Sequence, residues 1–415
     1  MKGINVREGE LFIDEVPLKS IASEYGTPAY VYSSHKLKEN LNAYLSSVRD
    51  EDKICYSVKS NSNIHLLSYL ASLGSGFDVV SGNELLRCLE AGADTENIVF
   101  SGVAKTEEEI SLAIQNNIFS INIESEEELE RIIKVAKNLK RKAECIIRIN
   151  PDITPKSHPY IQTGLRTSKF GVLKDKVDSL AKRASDSGSV KIKGLACHIG
   201  SQIFDEKLIL ETLDFLIKIC TRLNNKEQNL KYIDLGGGLG ISYDQEEEIE
   251  INKLLDKCIA LLKPLNLNLI LEPGRSISGN AGVLISKIEY LKKTSELNFA
   301  IIDAGMNDLL RPSLYQAWHN ISVVENNNEE KQNYKIVGPV CESGDVLGEH
   351  RSLALSEDSI VAILDVGAYG HVMSSNYNTR ELPAEILINK SSIAVIRERE
   401  NIESVIDNDI IPSWL

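Results

Sequence analysis

Five short stretches of this chain combine residue types that can do chemistry together. Lys59 sits in Tyr56-Ser57-Val58-Lys59-Ser60-Asn61, where an apolar run gives way to a turn. A lysine held by the fold at that point is partly stripped of water, which lowers its pKa and frees the amine to form a Schiff base. Asp78 lies in Gly76-Phe77-Asp78-Val79-Val80 and His198 in Cys197-His198-Ile199-Gly200-Ser201-Gln202. Further on come Gly236-Gly237-Gly238-Leu239-Gly240 and Glu272-Pro273-Gly274-Arg275. An amine, two carboxylates, an imidazole, a glycine nest and a guanidinium suit an aldehyde cofactor with a phosphate and a basic ring nitrogen. That cofactor is pyridoxal phosphate.

Each stretch also has a plainer reading. The glycine run is either a tight turn or a row of backbone N–H groups that cradles a phosphate. It is not the dinucleotide fingerprint, because Ile241 stands where the last glycine belongs, nor a P-loop, because no Gly-Lys-Ser/Thr follows. His198 alone would read as a satisfied core histidine, although the small Gly200 and Ser201 after it allow a flat ring to approach and offer a hydroxyl to a phosphate. Glu272 is either a backbone cap or the carboxylate that keeps a pyridine nitrogen protonated. Asp78 reads as a turn residue or a partner of the site, and Arg275 as a phosphate ligand or a structural ion pair.

The elements that must position these residues alternate regularly. Strand-like runs occupy 53–59, 77–80, 98–101, 120–123, 144–150, 192–199, 232–236 and 269–272. Amphipathic helical segments lie between them, at 83–91, 106–116, 124–139 and 207–223. Eight strand–helix units predict a (β/α)8 TIM-type barrel over 26–277, with a doubly wound open sheet as the competing fold. In a barrel, catalytic groups sit at the C-terminal strand ends, which is where Lys59, His198, the glycine run and Glu272 fall. Beyond residue 278 short strand-like runs dominate, so 278–415 together with 1–25 reads as a mostly β domain of sandwich or barrel-like form. The strand-like Leu11-Phe12-Ile13-Asp14 is expected to join it.

The 415 residues carry a net charge of −14, which argues against nucleic acid or an anionic membrane as partner. No run is long and apolar enough to span a bilayer, and the N-terminus lacks the apolar core of a signal peptide, so a cytoplasmic protein is expected. Seven cysteines without a Cys-x-x-Cys pair fit reduced thiols. Seven histidines without ligand spacing predict no metal site.

Taken together, the motifs resemble the alanine-racemase-type (fold type III) pyridoxal-phosphate decarboxylases over nearly the whole chain. The resemblance rests on the stretches above and on Asn150-Pro151-Asp152, His158-Pro159-Tyr160-Ile161-Gln162-Thr163-Gly164 and Ser168-Lys169-Phe170-Gly171. It extends to Arg311-Pro312-Ser313-Leu314-Tyr315, Cys341-Glu342-Ser343-Gly344-Asp345, Gly367-Ala368-Tyr369-Gly370 and Ser374-Ser375-Asn376-Tyr377-Asn378. Departures are small: Ser57 and Ser60 replace more usual alanines, and Trp318 stands where tyrosine is common.

The resemblance implies roles by position. Lys59 would hold the cofactor and His198 would stack on its ring. Asp78 would belong to the cofactor site, and Glu272 would pair with the ring nitrogen. Ser201, Gly236, Gly237, Gly238, Gly274 and Tyr369 would lie at or near the phosphate. Cys341 would protonate the α-carbon after carbon dioxide leaves. Arg275, Arg311 and Tyr315, with Tyr369 nearby, would hold the substrate's far carboxylate, and Glu342 its far amine. The Cys341–Asp345 segment would come from the partner of a homodimer, and 151–170 would be a mobile active-site loop or an ordinary surface loop. The resemblance implies conversion of meso-2,6-diaminopimelate to L-lysine and carbon dioxide, the last step of lysine biosynthesis, and the charges agree, since a zwitterionic far end needs guanidinium and acid together. The alternative is a sister decarboxylase acting on ornithine, arginine or carboxynorspermidine. A decayed, non-catalytic homologue would have lost Lys59 or Cys341, and a racemase would want a tyrosine acid in place of the Cys341 segment.

Overall fold

The computed structural model describes residues 4–151, 168–407 and 409–414. Most of the expected active-site loop, 152–167, lies outside the described residues. The chain divides into two compact units, one of residues 39–242 and 246–277, the other of residues 1–38, 243–245 and 278–415.

The first unit is a closed barrel of eight parallel strands. In chain order these are Lys53–Ser57, Gly76–Val79, Ile98–Phe100, Ser120–Ile123, Ala143–Asn150, Val190–Ala196, Tyr232–Asp234 and Asn268–Leu271. Each pairs with the next, and the last closes on the first through Ile270↔Lys53 and Leu271↔Ile54. Closure leaves no free edge among these strands and excludes the open doubly wound sheet. Inside, Cys55, Val99, Phe119, Ile146, Ala196 and Ile270 pack with Tyr232 into a filled core. The barrel is therefore not a pore, and the site is confined to its rim.

The intervening helices begin where the sequence supplies caps. Ser81, Ser125 and Asp205 each accept a hydrogen bond from a first-turn amide of the helices Gly82–Glu90, Glu126–Leu139 and Glu206–Asn224. Thr106 and Glu109 form a reciprocal capping box at the start of Glu107–Gln115. These caps fix where each strand-to-helix loop ends, and so how much chain remains on the rim.

The second unit is mostly β. Its largest sheet runs, in spatial order, through Val346–Leu353, Gln332–Val337, Asn298–Ile302, Gly282–Lys293, Ala29–Ser33, Ala384–Asn389 and Ser392–Arg397. The N-terminal strand that enters this sheet is Ala29–Ser33, parallel to Ala384–Asn389 and antiparallel to Gly282–Lys293. That pairing carries the unit to Lys38, past the boundary at residue 25 expected from sequence. Glu10–Ile13 instead pairs with Ile4–Arg7 and Val16–Pro17 in a small sheet of its own. It still serves the same core: Leu11 and Ile13 are buried with Val31, Val283, Ile285, Val324 and Ile386.

Candidate active site

The first, sixth and eighth strands stop one or two residues before Lys59, His198 and Glu272, so those three side chains stand just past their strand ends at the rim. Lys59 occupies a 3-10 turn, Val58–Ser60, directly after the first strand. Its side chain remains 37% exposed while Asp78, inside the second strand, is fully buried, and the two form an ion pair of 2.5 Å. Ser57 Oγ ties the pair together: it accepts from Lys59 Nζ (3.2 Å) and donates to Asp78 Oδ2 (2.7 Å). Asp78 thus lies within a strand and not a turn, buried against the lysine it pairs with.

A cavity of about 280 Å³ opens beside Lys59, and His198, Gly236 and Glu272 line it. Its size is close to the ~300 Å³ at which small-molecule sites begin. His198 is half-buried, and its Nδ1 accepts from the Gly237 N–H at 3.3 Å, so the neutral ring carries its proton on Nε2. Burial first, then the nearby Arg148 and Lys59 charges, push its pKa well below the ordinary histidine range. It is a flat, neutral ring at physiological pH.

Glu272 is buried, and burial, followed by Asp234 and Asp78, holds its carboxyl well above the usual carboxylate range against the pull of Lys59 and Arg148. Asp234, 1% exposed, is likewise pushed up to about 6, chiefly by burial. The two carboxyls are hydrogen-bonded neighbours, and low dielectric disfavours two charges there. A buried acid that holds its proton is suited to face a basic ring nitrogen.

The glycine run has a steric cause. A Cβ at 236 would lie 2.6 Å from His198 Nδ1, at 237 2.1 Å from the Glu272 carbonyl oxygen, and at 238 2.1 Å from the Gly200 carbonyl oxygen. Only glycine lets the end of the seventh strand pass between the ends of the sixth and eighth. Of the expected cradle, the Gly236 N–H already donates to Asp234 Oδ1 (2.8 Å), and the Gly237 N–H to His198. Close by in the barrel unit, Arg275 Nη2 donates to Ser201 Oγ at 3.1 Å, and Gly274 packs against Ser57 and Ser60.

Four further polar side chains line the same cavity: Ser101, Asn122, Arg148 and Asp234. They stand on or beside the third, fourth, fifth and seventh strands, and sequence reasoning missed all four. Ser101 Oγ donates to Glu272 Oε1 (3.4 Å) and accepts from Asn122 Nδ2 (3.1 Å), while Arg148 is paired with Glu124 at 2.7 Å. The strand-end rule that found Lys59 applies equally to these strands. Asp234, two residues before the glycine run, carried the clearest signal.

The remaining expected residues belong to the β unit. Cys341 to Gly344 are all exposed on a loop organised from below by the buried Asp345. The Asp345 carboxylate accepts from the Met306 N–H (2.6 Å) and the Val340 N–H (2.7 Å). Cys341 is the one exposed cysteine; the other six are buried. Glu342 accepts from Tyr377 Oη at 3.0 Å. Arg311 and Tyr315 open and close one short helix, with Arg311 buried and Tyr315 half-buried. Trp318 is exposed beneath the Arg351 guanidinium. Tyr369 is half-buried at a left-handed backbone position, φ 55°. Among the described residues no cluster of metal-ligating side chains occurs, and no helix is long and apolar enough to cross a membrane.

The residues present fit pyridoxal phosphate: an aimed amine, a flat neutral ring, a buried acid that holds its proton, and glycines where a Cβ would intrude. A closed parallel barrel carrying that set on its rim defines a barrel-type pyridoxal-dependent enzyme. Residues 34–279 match the family described as "Pyridoxal-dependent decarboxylase, pyridoxal binding domain". A diaminopimelate decarboxylase of Vibrio cholerae is 46% identical over 96% of this chain and 96% of its own length. The crystal structure of a diaminopimelate decarboxylase from M. jannaschii, in co-complex with L-lysine, has a TM-score of 0.95 at 38% identity, covering 100% of this chain and 99% of that one. A second, from Helicobacter pylori and also complexed with L-lysine, has a TM-score of 0.91 at 40% identity, covering 94% and 98%. The chain belongs to the diaminopimelate decarboxylase family.

Proposed function

We propose that this protein decarboxylates meso-2,6-diaminopimelate to L-lysine and carbon dioxide, the last step of lysine biosynthesis. The observation that carries the reading is the Lys59–Asp78 pair beside the cavity that His198 and Glu272 line. Bound there, pyridoxal phosphate supplies the sink for the electron pair released as the carbon–carboxylate bond breaks. Lys59 is the residue that would hold it and then yield to the substrate amine. Asp78, ion-paired with Lys59, would keep that amine aimed at the cavity. Glu272, its proton held by burial and by Asp234, is the acid that would pair with the ring nitrogen. His198 would support the face of the cofactor ring, and its lowered pKa favours the neutral form, which adds no competing charge.

At the far end of the substrate, Arg311, Tyr315 and Arg275 would hold the carboxylate, with Glu342 on the amine and Tyr369, Ser201 and Gly274 near the cofactor phosphate. Cys341 would return a proton to the α-carbon; its exposure on a loop pinned by Asp345 suits a group that must reach outward. The family resemblance puts that loop in the partner subunit's site, so the proposed active unit is a homodimer. Six buried free thiols fit a reducing cytoplasmic setting.

The test is release of carbon dioxide and lysine by cofactor-loaded protein, offered the meso isomer, the LL isomer, ornithine, arginine and carboxynorspermidine in parallel. Turnover of the meso isomer alone is expected. Turnover of one of the others instead would overturn the substrate while leaving the cofactor site standing.

A further inference from the structure

Arg311 is buried, and its surroundings define its orientation sharply. Its Nη1 lies 2.6 Å from His319 Nε2, and its guanidinium carbon lies 4.6 Å above the Tyr243 ring. His319 is fully buried, and its other nitrogen, Nδ1, is 2.8 Å from the Leu364 carbonyl oxygen. A carbonyl only accepts and a guanidinium only donates. Nδ1 must therefore carry the proton, and Nε2 must offer its lone pair to Arg311. The ring is locked in one neutral tautomer from both sides, and Tyr243 packs edge-on against it at 5.0 Å.

We propose that His319 is a positioning residue for substrate recognition: it fixes the Arg311 guanidinium for the far carboxylate without neutralising it. A carboxylate in the same place would orient the arginine equally well but cancel the charge that a substrate carboxylate needs. Neither the imidazole, with its proton on Nδ1, nor the face of the Tyr243 ring sets an anionic countercharge against the guanidinium. Nothing in the sequence around His319 marks this duty, since it is separated from Arg311 by seven residues and a helix end. The inference rests on Arg311 binding the far carboxylate, as in the reading above.

The two amides separate the roles of the two nitrogens. His319→Asn can keep the bond to Leu364 but cannot reach Arg311; His319→Gln can place an acceptor near the old Nε2 position. The probes are L-lysine, the product, which retains the far carboxylate, and 1,5-diaminopentane, which has none. Their affinities for the cofactor-loaded enzyme are read from the change in its visible absorbance, with no turnover required. Losing a hydrogen bond to a charged group should weaken L-lysine binding roughly ten- to hundred-fold in His319→Asn, with diaminopentane binding unchanged. His319→Gln should recover most of the loss, and KM should rise more than kcat falls. Native discrimination between the two probes in His319→Asn, or equal losses for both, would overturn the role. Arg311→Ala with native discrimination would instead overturn the assignment of Arg311 itself, and this inference with it.

Discussion

At the scale of single residues, the chemistry depends on how buried charges are compensated. Lys59 is aimed by a fully buried aspartate, and Glu272 shares its surroundings with Asp234, whose pKa is pushed from 3.8 to about 6. A carboxyl that binds its proton more tightly folded than unfolded stabilises the fold below its unfolded pKa. That contribution is lost as pH climbs through the folded value. Asp234→Asn removes the charge that must be buried above that point and keeps an acceptor for the Gly236 N–H. In the cofactor-free protein its melting temperature, relative to native, should rise from about pH 4 to about pH 7 and then level off. The gain should amount to a few degrees, at roughly 2–4 °C per kcal/mol. A difference that stays flat with pH would show that Asp234 titrates normally.

At the scale of elements, the glycine run decides whether the rim can assemble. Gly237 admits no side chain, because a Cβ would sit 2.1 Å from the Glu272 carbonyl oxygen. Gly237→Ala must push the end of the seventh strand away from the residue that carries the acid. We expect it to cost about 1–3 kcal/mol in thermal or denaturant unfolding and to weaken cofactor binding, measured by fluorescence titration. Gly188, at the end of the helix Val177–Ser187, has φ 66° but nothing within 4 Å of an added Cβ. Gly188→Ala should therefore cost roughly 1 kcal/mol and leave cofactor affinity at its native value. Equal effects on cofactor affinity would mean that backbone strain, and not close approach, explains the run.

At the scale of the whole molecule, the proposed homodimer has a direct consequence. If the Cys341 loop serves the partner's site, Lys59→Ala and Cys341→Ala are each inactive or severely slowed alone, yet a mixed dimer holds one intact site. Random reassociation of equal amounts should restore about a quarter of native activity, measured as lysine release after mixing and refolding. Mixtures no more active than their components would place Cys341 and Lys59 in the service of the same subunit.

The order of strands and helices was legible because each barrel unit writes its own local pattern: an apolar β-branched run, a capped start, an amphipathic helix. Lys59, His198 and Glu272 were legible for the same reason, since the strand-end rule converts sequence position into place on the rim. Ser101, Asn122 and Arg148 obey that rule too, yet their short runs look like ordinary polar strand ends. Only closure of the sheet reveals that they turn toward one cavity. The N-terminal strand shows the same limit: Leu11-Phe12-Ile13 and Ala29–Ser33 both read as strands, but which one enters the large sheet depends on distant partners, Gly282–Lys293 and Ala384–Asn389. The sequence by itself determined element type, cofactor chemistry and family, all properties of local pattern and residue kind. Tertiary structure alone decided the Lys59–Asp78 aim, the shifted carboxyl pair and the tautomer of His319, because each depends on which groups exclude water together.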